Sequence, residues 1–146
     1  MKQRNRKIYF GFIAVLMLSE MITSNVYSLI GPLEDTAELM GVSVSVESIR
    51  LVILIILDVI PGVGAVLVLW AYRSADAVYV GRLGVILTTG GMLAYGIYQF
   101  WSATFQLGNM QNFVRLVGVV YASLGIIAWL VGRDLRQGLS RSDRQA

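Results

Sequence analysis

Four apolar runs dominate this chain, at residues 8–30, 51–72, about 80–101 and 114–131. A helix needs roughly 20 consecutive apolar residues to cross the hydrocarbon core of a bilayer. Each run meets or approaches that length, and the fourth is the shortest. In hydrocarbon the backbone must satisfy its own hydrogen bonds, so such runs fold as helices. The sequence therefore predicts an all-α integral membrane protein, one domain built as a bundle of four transmembrane helices. Composition agrees, with 56% hydrophobic and 14% charged residues, against about 25% charged in an ordinary soluble domain.

The ends of the runs carry stop signals. Gly31-Pro32 closes the first, because proline has no backbone donor and resists continuation of a helix. Gly132 and Arg133 end the fourth. A secretory signal is the competing reading of the N-terminus, since Lys2, Arg4, Arg6 and Lys7 precede an apolar run. The run is too long for that, contains Glu20, and has no small-residue cleavage site after it. It is read as the first span.

Basic residues orient the bundle. The N-terminus, the link between the second and third spans, and the tail hold ten of the twelve Lys and Arg residues. The remaining two, Arg50 and Arg115, fall in the other compartment. The positive-inside rule places both termini in the cytoplasm, with a plasma (inner) membrane as the expected location. The net charge of +3 is then accounted for by orientation and by contact with lipid headgroups, and nucleic acid is not expected as a partner. Residues 33–48 form the long outer loop, with a helical turn expected at 36–40 and a short extended piece at 43–46. The tail, 133–146, is polar and is expected to be a frayed, solvated cytosolic end.

Within this apolar frame two acids stand out, Glu20 in the first run and Asp58 in the second. A charged side chain at that depth costs at least ~2.5 kcal/mol on insertion scales. Helical rise puts Glu20 about 18 Å above the inner edge and Asp58 about 10 Å below the outer edge, so both lie in the outer half. Tyr95 and Tyr121 fall near the same level on the third and fourth spans. Two carboxylates in one site do not readily ionise together, so such a dyad can exchange a proton for a cationic ligand. Alternatively, each acid is bonded to a neighbouring helix and merely fixes the arrangement.

Ser24 and Asn25 join Glu20, Asp58, Tyr95 and Tyr121 as candidate ligand- or ion-binding residues, on a polar face read as Glu20, Thr23, Ser24 and Tyr27 or Ser28. Pro61 should bend the second helix beside Asp58 and free a carbonyl one turn back. Gln99 is read as an interfacial residue without a special role, and Tyr9, Phe10, Trp70, Tyr72, Tyr98 and Trp101 as aromatic belts. Arg50 and Arg115 are read as snorkelling anchors or as counter-ions for Glu34, Glu38 or an anionic ligand. The small-residue faces Gly84, Thr88, Gly91 and Gly118, Ala122, Gly125 suit close packing within the bundle, or a homo-oligomer.

The chain has neither cysteine nor histidine. Disulfides, thiolate metal sites, imidazole-bound zinc and histidine-ligated haem are excluded, and no cofactor or metal is expected. A glutamate in the first of four helices, followed one turn later by a hydroxyl (Glu20 and Ser24), resembles the small multidrug resistance exporters. The resemblance covers one helix, and the long outer loop, the second intramembrane acid and the tail depart from it. Three functions are weighed: a small transporter or channel for a proton or cation, a structural or assembly subunit of a larger membrane complex, and a lipid-modifying enzyme. The last is disfavoured, since no nucleophile–base pair is visible.

Overall fold

A computed structural model describes residues 3–74, 77–105 and 110–137. Among the described residues all regular structure is helical. The first span comprises α1 (Gln3–Glu20), a π-helical stretch (Met21–Val26) and α2 (Tyr27–Ile30). A short α3 (Leu33–Met40) follows, then α4 (Val44–Ala71) and α5 (Val78–Ser102), the latter extended by a 3₁₀ turn (Ala103–Phe105). α6 (Met110–Val131) and a single turn, α7 (Arg133–Arg136), complete the described chain. Four helices, Gln3–Ile30, Val44–Ala71, Val78–Phe105 and Met110–Val131, are long and apolar enough to cross a membrane.

The distribution of apolar side chains fits that setting. Phe12, Ile56, Val66, Ile86, Leu116 and Leu130 all lie exposed on the outside of the bundle. A water-soluble chain rarely leaves so much apolar surface uncovered. The interior holds Met17, Leu54, Val68, Met92 and Ala128. The helices pack in sequence, α1 on α4, α4 on α5 and α5 on α6, whereas α1 and α6 barely meet.

Glycine notches set the inner seams. A Cβ added to Gly64 would lie 2.6 Å from the Thr88 nitrogen and 2.8 Å from the Gly84 oxygen, so α4 and α5 touch backbone to backbone there. Gly118 would likewise meet the Gly96 oxygen at 2.6 Å, joining α5 to α6. Without a hydrophobic driving force between helices in lipid, such close van der Waals approach is the main source of association. The small-residue faces are thus spent within the protomer.

Several expectations about helix ends are corrected. Only Ser43 of residues 43–46 is extended: it caps α4, its hydroxyl accepting from the Val46 N–H, so the second span begins at Val44 instead of 51. The serine side chain satisfies an amide that the first turn leaves orphaned. α3 fills more of the outer loop than the expected turn, and Gly41 ends it at φ 68°, a left-handed cap suited to glycine. The tail does not fray at once. Asp134 and Leu135 are buried, Arg6 pairs with Asp134 at 2.6 Å, and Tyr72 donates to the same carboxylate at 3.1 Å. Tyr72 and Phe10 are therefore buried residues, not members of an aromatic belt. The tail beyond 137, together with Lys2, lies outside the described residues.

Candidate functional site

The site begins with the change of winding after Glu20. In a π-helix the hydrogen bonds run from residue i+5 back to residue i, so each turn holds one extra residue. Residue 25 then takes the place above Glu20 that residue 24 would hold in an α-helix. The polar face becomes Glu20, Ser24, Asn25 and Ser28, all of which line one cavity. Thr23 and Tyr27, expected on that face, are exposed instead, and the Thr23 hydroxyl donates to the Ser19 carbonyl.

Asn25, only 5% exposed, donates from Nδ2 to Asp58 Oδ2 at 2.6 Å. Asp58 is 0% exposed and its Oδ1 has no partner. Glu20 is half-buried and accepts the Tyr95 hydroxyl at 2.8 Å. Tyr95 in turn accepts from Gln99 Nε2 at 3.1 Å, and its ring stacks on Tyr121 with centroids 4.5 Å apart. The polar groups placed at a common level in the sequence thus form two hydrogen-bonded sets, Asn25 with Asp58, and Glu20 with Tyr95 and Gln99, the second stacked on Tyr121. Asp58 itself stands behind Asn25 and does not line the cavity.

Gln99 requires a correction. It is buried at 7% exposure, lines the cavity and leaves Oε1 unpartnered. Placement near the end of the third run suggested an interfacial side chain, but α5 continues to Ser102 and a further 3₁₀ turn extends it. The signal available in the sequence was the spacing: Gln99 follows Tyr95 by four residues, one helical turn on the same face.

The cavity has a volume of about 390 Å³, at the lower end of the range that holds a small organic molecule. Leu51, Leu54, Val114 and Val117 supply apolar walls. Arg50 is also in the wall, but its Nε and Nη2 donate to Glu47, at 2.8 and 2.6 Å. Glu47 is fully buried, and the pair is bidentate, the strongest geometry for such a bond. Arg50 is therefore the partner of Glu47, and not of Glu34 or Glu38. Arg115 has its guanidinium carbon 5.8 Å from the Phe100 ring centre.

Pro61 lies away from the cavity. α4 runs as a single helix through it, and its ring fills the notch at Gly91, where an added Cβ would come within 2.6 Å. Among the described residues no three acidic side chains gather to hold a metal ion.

The first span and α6 both line the cavity. At the opposite end these elements are joined, with Tyr9 donating to the Leu124 carbonyl at 2.5 Å and Arg6 held by Asp134. No family model matches the chain, and no curated protein or solved structure shows a similarity to it.

Proposed function

We propose that the chain is a small multi-pass membrane transporter or channel, alone or as a subunit, that uses Glu20 and Asp58 to handle a proton or a cationic ligand. It works without cofactor or metal and is not an enzyme in this reading. Both termini face the cytoplasm of a plasma (inner) membrane, and copies of the chain or other membrane subunits complete the pathway where four helices are too few to enclose it.

One observation carries the proposal: two buried acceptors at the site are left without a donor. Tyr95 donates to Glu20, Gln99 to Tyr95, Asn25 to Asp58, and Arg50 to Glu47. Gln99 Oε1 and Asp58 Oδ1 remain without partners. A buried acceptor without a donor costs about 1–3 kcal/mol. A guest in the cavity carrying positive charge and N–H or O–H groups would meet Gln99 Oε1 and the Glu20 carboxylate directly, and Asp58 through Asn25. The stacked tyrosines add an aromatic face of the kind that attracts a cation.

The test uses purified protein in lipid vesicles that enclose a pH-sensitive dye. Gradients of sodium, potassium, tetraethylammonium and ethidium are imposed in turn. Dye response to at least one, abolished by Glu20→Gln and by Asp58→Asn in protein that still inserts, is the expected result. Responses equal to those of empty vesicles for all four cations and for protons would end the transport reading.

A second reading is favoured by the Asn25–Asp58 bond taken alone. A short, fully buried polar pair between two helices is also what a fixed helix tie requires. The chain would then be a non-catalytic structural or assembly subunit of a larger membrane complex. The same variants separate the two, because a structural tie predicts that Asp58→Asn, still able to bond Asn25, keeps the assembly intact and affects no flux.

A further inference from the structure

At the end of the bundle that carries Arg6 and α7, the arrangement of cations is unbalanced. Asp134 occupies the buried side of α7, where Arg6 and Tyr72 consume its carboxylate. Arg133 and Arg136 lie on the same turn, Arg133 exposed and Arg136 half-buried. α7 lies across the start of α5. A Cβ at Gly81 would be 3.0 Å from Leu135, and one at Gly132 would be 2.5 Å from Val85. Arg82 follows Gly81 by one residue and is exposed. The charges of Arg82 and Arg133 are near enough to act on Arg136. Among the described residues none of the three pairs with a carboxylate.

One of them is already fixed in place. The Arg136 guanidinium lies 3.4 Å from the centre of the Trp129 ring, and its Nη2 donates to the Trp129 carbonyl at 2.8 Å. Its Nε is buried and has no partner. Burial, followed by the Arg133 and Arg82 charges, lowers its pKa below the ordinary arginine value. Like charges held together in this way call for an anion. Trp129, two residues before α6 ends, is exposed, and tryptophan at the end of a span marks the headgroup level of a bilayer. An anion at that level is supplied by the phosphate of a lipid, and guanidinium is the side chain best matched to it.

We infer that Arg82, Arg133 and Arg136, with Trp129 as the platform, form a binding site for the phosphate of an anionic phospholipid. The site stands on different residues from the cavity at Glu20 and does not depend on any transport activity. Arg136 positions the group through its stack on Trp129, while Arg82 and Arg133 supply the remaining charge.

The experiment compares lipid retention by the full chain. Protein is exchanged in detergent against equal amounts of phosphatidylglycerol and phosphatidylcholine, and retained lipid is counted by native mass spectrometry. The wild type is expected to prefer phosphatidylglycerol by roughly tenfold or more, a scale consistent with two arginines near an anionic surface. The double variant Arg82→Gln, Arg133→Gln removes two exposed groups without described bonds, and should bring the preference close to one. Thermal unfolding in phosphatidylcholine alone checks that this variant folds as the wild type does. Equal retention of the two lipids by the wild type overturns the site, as does an unchanged preference in the variant. A third arm adds inorganic phosphate at millimolar concentration; if it displaces phosphatidylglycerol fully, the site takes free phosphate and the lipid assignment is wrong.

Discussion

Asn25 reaches Asp58 only because the first span unwinds to i→i+5 bonding between Met21 and Val26. In a regular α-helix, residue 25 would be turned about 140° from residue 20, toward the opposite face. The extra residue per turn brings residue 25 back over Glu20, so that Asn25 meets Asp58 on α4 while Glu20 meets Tyr95 on α5. Such π-helical insertions are uncommon and recur at functional sites. Here the insertion is what lets Asn25, bonded to Asp58, line the same cavity as Glu20.

Asn25→Ala removes the one hydrogen bond made to a fully buried carboxylate. The expected loss of stability is about 1–3 kcal/mol, the penalty for leaving a buried polar group unpaired. Thermal unfolding in detergent reads it. Replacing Asp58 by Asn in the same background should recover part of the loss, since a neutral amide is cheaper to bury alone than a carboxylate.

Gln99→Leu tests whether the cavity, and not only its acids, matters. The change keeps the volume near that of glutamine while removing the unpartnered acceptor and the bond to Tyr95. Stability should change by no more than about 1 kcal/mol, the net worth of a typical hydrogen bond. Cation-driven flux in vesicles should fall severalfold. Flux equal to the wild type would show that Gln99 touches no guest.

Gly118→Leu should separate α5 from α6, because even a Cβ there would meet the Gly96 oxygen at 2.6 Å. Overpacking of this kind costs about 1–3 kcal/mol or more. The loss should appear in the monomer, as a lower unfolding temperature in detergent at dilutions where no oligomer persists. A change seen only in oligomer size would move this glycine from the inside of the bundle to an interface between copies.

Asp134→Ala leaves Arg6, largely buried, without its carboxylate and Tyr72 without its acceptor. Removing one partner of a buried ion pair costs roughly 3–5 kcal/mol. Amide hydrogen exchange should accelerate at α7 and over the first turns of α1, while the helices around Tyr95 stay protected. Uniform acceleration through the whole bundle would mean that the tie supports the global fold and not just this end.

Much of the architecture was legible because lipid imposes a single rule, helical runs of sufficient length, and the four runs obey it. The depth argument grouped Glu20, Asp58, Tyr95 and Tyr121; Glu20 bonds Tyr95 and Tyr95 stacks on Tyr121, whereas Asp58 stands apart from the cavity behind Asn25. What escaped was whatever depends on winding or on short capping elements. A periodicity of 3.6 assumed throughout put Thr23 and Tyr27 on the polar face, where the π-helical stretch puts Asn25. Apolar-run boundaries ended the second helix seven residues short of its Ser43 cap, hiding the Glu47–Arg50 pair inside what looked like a loop. Four residues of α7 are too few to announce a docked turn by pattern alone, so the burial of Asp134 and Tyr72 was not foreseen.

The first span is held to different neighbours at its two ends. The Tyr9 hydroxyl fastens one end to the Leu124 carbonyl of α6, and about 24 Å further along the helix axis Asn25 fastens it to Asp58 of α4. A single helix thus bridges the first and last members of a row that otherwise pack only in succession, and the loss of either tie would let that row open from a different end.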